Sequence, residues 1–332
     1  MIARLLRRPK IIISSLMILL LIIPSSLSSA LPNSAYSLSL QSGAQVYEVK
    51  YYNEDLWKFT VNPLSSPSEM FGGEANISGA KSKLIPLTTG RNDLSTYGIF
   101  IHFFYHWLNV PYNSLLLPNG YDPENITGRY PYYYFAWDCD LVYWNFTSKP
   151  FKNYADHVQV DTETPYKHFI ILQDPTNYSR ILDDYNDFAS DVNNDSTIQA
   201  ANYSLPLLNG DECLWQLIIN ELMIANPLNS YLNQIINALN CTNSSVQDNT
   251  LVFQRSGVKF YTVEIKFNTM GVIDTIVMKT MQNEVFYQIT SSYPQLDVYI
   301  ILGVFGGAIL GLVGIHIYKK SRQKKEIARN LK

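Results

Sequence analysis

The chain has 332 residues, 47% of them hydrophobic, with 25 Lys and Arg against 28 Asp and Glu and a formal net charge of −3. Basic groups concentrate at the two ends, so residues 31–318 keep 14 Lys and Arg and 27 Asp and Glu, a net charge of about −13. A segment this acidic excludes nucleic acid and anionic lipid headgroups as expected partners, and it suits cations or a basic partner.

The first 30 residues have the layout of a secretory signal peptide. Four basic residues precede an apolar run from Ile11 to Ile23, and Ser28 and Ala30 are the small residues at positions −3 and −1 of a cleavage site. The run of 13 residues is too short for a span of roughly 20 residues, which argues against an uncleaved anchor. We predict cleavage after Ala30.

Alternating apolar residues predict strands early in the exported region. Tyr47, Val49 and Tyr51 share one face of the first strand, and residues 99–107 alternate in the same way. The second stretch contains His102 and His106, whose spacing is compatible with a metal site from either a helix or a strand. Because no Glu follows His102, the zinc-peptidase motif is absent and we favour a structural role.

An aromatic segment, residues 130–144, is the best sequence evidence for binding. Its alternation places Tyr133, Phe135 and Trp137 on one strand face, which we expect to fill the core. Tyr134 and Trp144 lie on the opposite face and are predicted to be exposed. There they could stack on sugars or contact a protein partner.

The central section predicts helices. One covers about residues 179–189. A hairpin follows, with a first helix that is capped by Asp211 and ends near Ala225 and a second that begins at Asn226-Pro227. Apolar residues recur at spacings of three and four along the second helix. Since antiparallel helices bring the ends of a hairpin together, we predict a Cys213–Cys241 disulfide and a buried, unpaired Cys139.

After the helices, strands are predicted at residues 250–256, 258–268, 272–280 and 284–290, with turns at Gly257 and at Asn268–Gly271. Strands on both sides of a helical section predict an α+β fold with an antiparallel sheet, covering residues 31–297. Two subdomains that part near Asp174 are the alternative, because about 267 residues is long for one core.

Residues 298–318 form a stretch of 21 residues without formal charge, which matches a transmembrane helix. The tail, residues 319–332, carries seven Lys and Arg and one Glu, so the positive-inside rule places the C-terminus in the cytoplasm and the ectodomain outside the cell. Gly303, Gly307 and Gly311 form a stripe of small residues that could pack a lateral homodimer.

Eight Asn-x-Ser/Thr sequons occur, and all lie between the signal peptide and the span. This placement supports an exported glycoprotein, with only part of the sequons expected to be occupied. The predicted glycosylation sites are Asn76, Asn125, Asn145, Asn177, Asn194, Asn202, Asn240 and Asn243.

No catalytic or cofactor motif is present. Asp191 begins a sequence like a calcium loop, but Ser196 and Asn202 stand where the EF-hand needs Gly and Glu. Asp138 and Asp140 are interpreted as a solvated strand face. The chain has no G-x-S-x-G elbow, so an enzyme is not favoured, and no cofactor is expected.

A signal peptide, a Tyr- and Asn-rich ectodomain with sequons, a glycine-containing span and a short basic tail together resemble the single-pass surface glycoproteins of archaea, including uncharacterised Asgard-type ones. The stretch KFYTVEIKFNTMGVIDTIVMK is similar to strand–turn–strand units of such ectodomains. The resemblance implies a type I cell-surface protein whose ectodomain contacts an extracellular protein, glycan or ligand. A half-barrel carrier of an apolar ligand and a membrane-anchored hydrolase are the alternatives.

Overall fold

The computed structural model describes residues 36–38, 44–104, 108, 112–150, 166–220 and 222–292. The predicted signal peptide, span, glycine stripe and tail lie outside these residues, as does His106. Among the described residues, no helix is both long enough and apolar enough to cross a bilayer.

The fold is α+β, built on a large antiparallel sheet. Within the described residues, nine strands pair in the order β4-β3-β2-β1-β9-β8-β7-β6-β5. The last strand, β9, pairs on one side with β1 and on the other with β8, so the two ends of the described chain meet inside the sheet. The strands are β1 (Gln45–Tyr52), β2 (Lys81–Ser95), β3 (Tyr133–Thr147), β4 (Tyr166–Leu172), β5 (Ser244–Gln247), β6 (Thr250–Ser256), β7 (Phe260–Phe267), β8 (Ile273–Thr280) and β9 (Val285–Ser292).

The described helices lie between and after the first four strands of the sequence. They are α1 (Glu54–Thr60), α2 (Pro67–Phe71), α3 (Thr96–Phe103), α4 (Pro123–Arg129), α5 (Asn177–Asn194), α6 (Ser196–Ala200), α7 (Gly210–Ile219) and α8 (Leu228–Ala238), with a π turn at Tyr112–Leu116 and a 3-10 turn at Leu117–Asn119. Residues on both sides of Asp174 contribute strands to one sheet within one compact unit, which does not agree with two subdomains parting there.

The predicted C-terminal meander is confirmed as β6 to β9. Its turn at Asn268–Gly271 closes through a hydrogen bond from the Gly271 amide to the Asn268 carbonyl at 2.9 Å. Gly271 has φ of 79°, and a Cβ there would lie 1.7 Å from the Ile224 carbonyl oxygen. Only glycine meets both conditions without strain.

The strand predicted over residues 99–107 is wrong, because residues 96–103 form α3. The Ser95 hydroxyl caps this helix by accepting a hydrogen bond from the Gly98 amide at 3.3 Å. Thr96, Ile99, Phe100 and Phe103 are buried at spacings of three and four, which is the helical period. Tyr97 and Ile101, which lie between them, obscured that period in the sequence.

The helical hairpin is present as α7 and α8, with boundaries that differ from the prediction. The first helix begins at Gly210, ends at Ile219 and is capped by Asn209, while the second begins at Leu228. The predicted apolar face of the second helix is confirmed, since Tyr231, Leu232 and Ile235 are fully buried.

Asp211 does not cap α7. Its carboxylate accepts hydrogen bonds from the Thr242 amide and hydroxyl at 3.0 Å and from the Ser244 hydroxyl at 2.8 Å. It therefore joins the first turn of α7 to the chain that enters β5. The ends of the hairpin meet as predicted.

Candidate functional site

An apolar cavity of about 170 Å³ lies between the sheet and the segments around α2 and α7. Its floor comes from neighbouring strands, where directly paired residues point to the same face. Leu84 of β2 pairs with Tyr143 of β3, and Ile276 of β8 pairs with Ile289 of β9. The cavity therefore spans the junction between the two halves of the sheet.

The roof of the cavity is built from helical segments. Ile218 and Ile219 come from the end of α7, Met223 from the segment that follows it, and Met70 and Phe71 from α2. Methionine side chains adapt their shape to different neighbours. A roof of this composition can adjust to apolar ligands of differing shape.

Two glycines hold α2 close to β3 at one end of the cavity. Gly72 lines the cavity, and a Cβ on Gly73 would lie 2.3 Å from the Phe146 carbonyl oxygen. That same oxygen accepts a hydrogen bond from the Glu74 amide at 2.8 Å. We call residues 72–74 the glycine lip.

Aromatic packing supports the lip from behind. Phe71 stacks on Tyr287 of β9 with ring centroids 5.5 Å apart and an interplanar angle of 9°. The Tyr287 hydroxyl donates a hydrogen bond to the Ala75 carbonyl at 2.9 Å. These contacts fix residues on both sides of the lip against the sheet.

The residues that line the cavity include no acid, base or cysteine. The Ser82 hydroxyl is buried and donates to the Trp144 carbonyl at 2.7 Å, so it is not available to a ligand. The side-chain amide of the half-buried Asn145 makes no hydrogen bond to the described part of the chain. This arrangement favours binding an uncharged apolar group and offers no acid–base or nucleophilic chemistry.

The predicted exposure of Tyr134 and Trp144 is wrong. Tyr134 is 2% exposed, and its hydroxyl donates to the Asp184 carboxylate of α5 at 3.1 Å. Trp144 is 7% exposed, with the Lys83 ammonium 5.0 Å from its ring centroid. Both rings are in the core because α5 and the Lys83 stem cover the face that the sequence left open.

The rings expected in the core divide differently. Tyr133 is 63% exposed and Phe135 is 49% exposed, whereas Trp137 is buried as predicted. Next to them, the Arg180 guanidinium lies 3.5 Å from the centroid of the partly exposed Tyr132 ring. The exposed aromatic surface is thus formed by Tyr132, Tyr133 and Phe135, with Arg180 beside it.

The metal candidates have structural contacts. On α3, the centroid of the His102 ring lies 4.9 Å from that of the Phe103 ring. Asp191 forms an ion pair with Arg129. Asp195 caps α6, accepting from the Thr197 amide at 2.8 Å. No group of three or more metal-binding side chains occurs among the described residues.

All three cysteines are free thiols in the structure, which therefore lacks the predicted Cys213–Cys241 bridge. Burial raises the pKa of Cys213, and the charge of Cys241 raises it further. Cys139 is fully buried, as predicted, and burial raises its pKa to about 11.

The eight sequons are accessible to different degrees. Six of the asparagines are exposed, at positions 76, 125, 194, 202, 240 and 243. Asn145 and Asn177 are half-buried, and of the eight only Asn145 lines the cavity. The predicted glycosylation of these asparagines stays a prediction.

The cavity itself was not predicted as a site. Its lining comes from eight separate parts of the chain, and most of the lining residues have the pattern of ordinary core residues in the sequence. Only the adjacent Gly72-Gly73 pair is a local signal of close backbone approach.

Comparison with protein-family models, with curated proteins and with solved structures finds no match to this chain.

Proposed function

We propose that the chain is a single-pass type I surface glycoprotein whose exported domain binds a small, uncharged apolar ligand. The cavity beneath α7 is the observation that carries this proposal. Of the functions considered from the sequence, carriage of an apolar ligand fits this geometry best. The cellular location rests on the predicted signal peptide, residues 1–30, and the predicted span, residues 298–318.

The size of the cavity limits the ligand. An engineered apolar cavity of about 150 Å³ in another protein stays dry and binds benzene. A space of about 170 Å³ accordingly suits a single ring or a short branched chain. A whole membrane lipid is too large for it.

The proposal can be tested on the full chain in lipid nanodiscs with fluorobenzene as the probe. Replacement of Ile276 by Phe puts a ring into the cavity, so the bound signal in fluorine NMR should fall at least tenfold. The matched variant Ile77→Phe makes the same substitution at a side chain that is 41% exposed, and it should bind like the parent protein.

Both variants should unfold at nearly the temperature of the parent, because the added ring at Ile276 fills space that is already present. Equal fluorobenzene binding by the parent and by Ile276→Phe, with both folded, would reject the cavity as the site.

A second candidate function is contact with an extracellular protein or glycan through Tyr132, Tyr133 and Phe135. Exposed aromatic rings beside an arginine have the composition of interaction surfaces. The double variant Tyr133→Ala, Phe135→Ala should keep the fold and lose crosslinks to a partner on cells. A lateral homodimer through Gly303, Gly307 and Gly311 is compatible with either function.

A further inference from the structure

We propose that glycosylation of Asn145 closes the apolar cavity, so that a glycan on this residue and a ligand in the cavity exclude one another. This inference rests on the proposed ligand-binding function. It follows from the position of Asn145 in the cavity wall, from the glycine lip that faces it and from its sequon.

Asn145 points to the cavity side of β3. It stands two residues after Tyr143, and alternate residues of a strand share a face, so both side chains line the cavity. The pairing of β3 with β2 shifts register between Trp144 and Thr147, which puts Phe146 in the lining as well. The sequon Asn145-Phe146-Thr147 therefore lies in the wall of the cavity and not on an outer loop.

The glycine lip leaves little room beside the Asn145 amide. Its Oδ1 lies 3.2 Å from the point where a Cβ of Gly72 would stand. Gly73 lies directly against the backbone of Phe146, and the Ser148 amide donates a hydrogen bond to the Glu74 carboxylate. Because the lip is tied to β3 at Phe146 and Ser148, immediately after Asn145, it leaves a sugar on the side-chain amide no room on that side, and the sugar takes up the space of the cavity.

Attachment of the sugar is chemically ordinary. In the host's glycosyl transfer, the Asn145 Nδ2 attacks C1 of a polyprenyl-diphosphate oligosaccharide. The C1–N bond forms as the C1–O bond breaks, polyprenyl diphosphate leaves, and the proton from Nδ2 passes to a base of the host transferase and then to water. Transfer requires an accessible amide, so it precedes closure of the lip over β3. The occupancy of Asn145 is then decided during folding, and each molecule is permanently open or permanently blocked.

The other sequons provide an internal comparison. Asn125 lies on α4, none of whose residues lines the cavity, and its Nδ2 donates to the Gly120 carbonyl at 2.9 Å. Its sequon ends in Thr127, as that of Asn145 ends in Thr147. Thr127→Ala and Thr147→Ala consequently remove one glycan each by the same substitution.

The test uses the full chain from a glycosylating host, in nanodiscs, with fluorobenzene as the probe. Glycopeptide mapping first measures the fraction of molecules that carry sugar on Asn145. The bound fraction of fluorobenzene in the parent should equal the unglycosylated fraction. In Thr147→Ala it should rise to one probe per chain, which is about a twofold increase if half of the parent molecules are glycosylated.

Asn145→Gln provides a second variant that removes the same glycan, and it should show the same increase. Thr127→Ala should bind as the parent does. Thermal unfolding of all four proteins checks that each is folded.

The outcomes separate the two proposals. The exclusion is overturned if Asn145 carries no glycan in the parent, or if molecules with the glycan bind the probe fully. In either case, binding by Thr147→Ala still supports a ligand site. If none of the proteins binds the probe, the ligand-binding function fails and the exclusion fails with it.

Discussion

Two neighbouring tyrosines on β3, Tyr133 and Tyr134, differ completely in solvent exposure. Tyr133 is exposed, while Tyr134 is buried and donates to Asp184. The prediction of burial from the period of two was right for Trp137 and wrong for Tyr133, Tyr134 and Phe135. Tyr134 and Trp137 are both buried although they lie on opposite faces of the strand. Alternation cannot identify the core face of a strand that is covered on both sides.

Removal of the Tyr134 hydroxyl should destabilise the protein. Tyr134→Phe leaves the buried Asp184 carboxylate without this donor, so we expect the free energy of unfolding to fall by about 1–3 kcal/mol. Chemical denaturation of the full chain measures the change. Tyr133→Phe removes the same hydroxyl from the exposed neighbour and should change stability by less than about 0.5 kcal/mol; a similar loss in both variants would contradict the role of the buried bond.

Asp184 should also make stability depend on pH. Burial raises its pKa above the ordinary value of 3.8, although the Tyr134 hydrogen bond and the Arg180 charge oppose the shift. A carboxyl whose pKa is raised on folding is stabilised in its protonated form, so its contribution is lost as pH rises through the folded pKa. Asp184→Asn, which stays neutral, should flatten this part of the stability profile above pH 4, whereas an unchanged profile would exclude Asp184 as its source.

At the scale of elements, the C-terminal strands were predictable and α3 was not. Residues 250–292 alternate regularly between turns of Gly and Asn, and local pattern suffices when strands pair with their sequence neighbours. In α3, apolar or aromatic residues occupy most positions, so helical and strand periods both fit. The Ser95 cap, with Gly98 three residues later, decided between them.

The turn between β7 and β8 provides a sharp test at this scale. Gly271→Ala requires a positive φ and a Cβ that overlaps the Ile224 carbonyl, so stability should fall by at least about 2 kcal/mol. Gly128→Ala is the control, because Gly128 lies in α4 with open space at its Cβ position. The control should be neutral or more stable by about 0.5 kcal/mol, as measured by thermal unfolding.

At the scale of the molecule, the strand order unites distant parts of the chain. β9 joins β1 to β8, which places the cavity floor across strands from both ends of the described chain. Such long-range pairing left no local mark in the sequence, so the α+β class could be predicted while the strand order and the cavity could not.

Hydrogen exchange should report this order. Amides of β1 and β9 lie in the middle of the sheet and are expected to exchange only on global unfolding. The four-residue edge strand β5 should exchange faster by about tenfold or more. Faster exchange in β9 than in β5 would contradict the strand order.

The position of β9 also determines when the sheet can be completed during synthesis of the chain. Until residue 292 has emerged, strands β1 to β4 and strands β5 to β8 can form only two partial sheets, each with an open edge where β9 belongs. The predicted membrane span begins six residues later, at Val298. Completion of the sheet therefore coincides with synthesis of the predicted anchor. A chain released before that point exposes two unpaired strand edges, which favour aggregation.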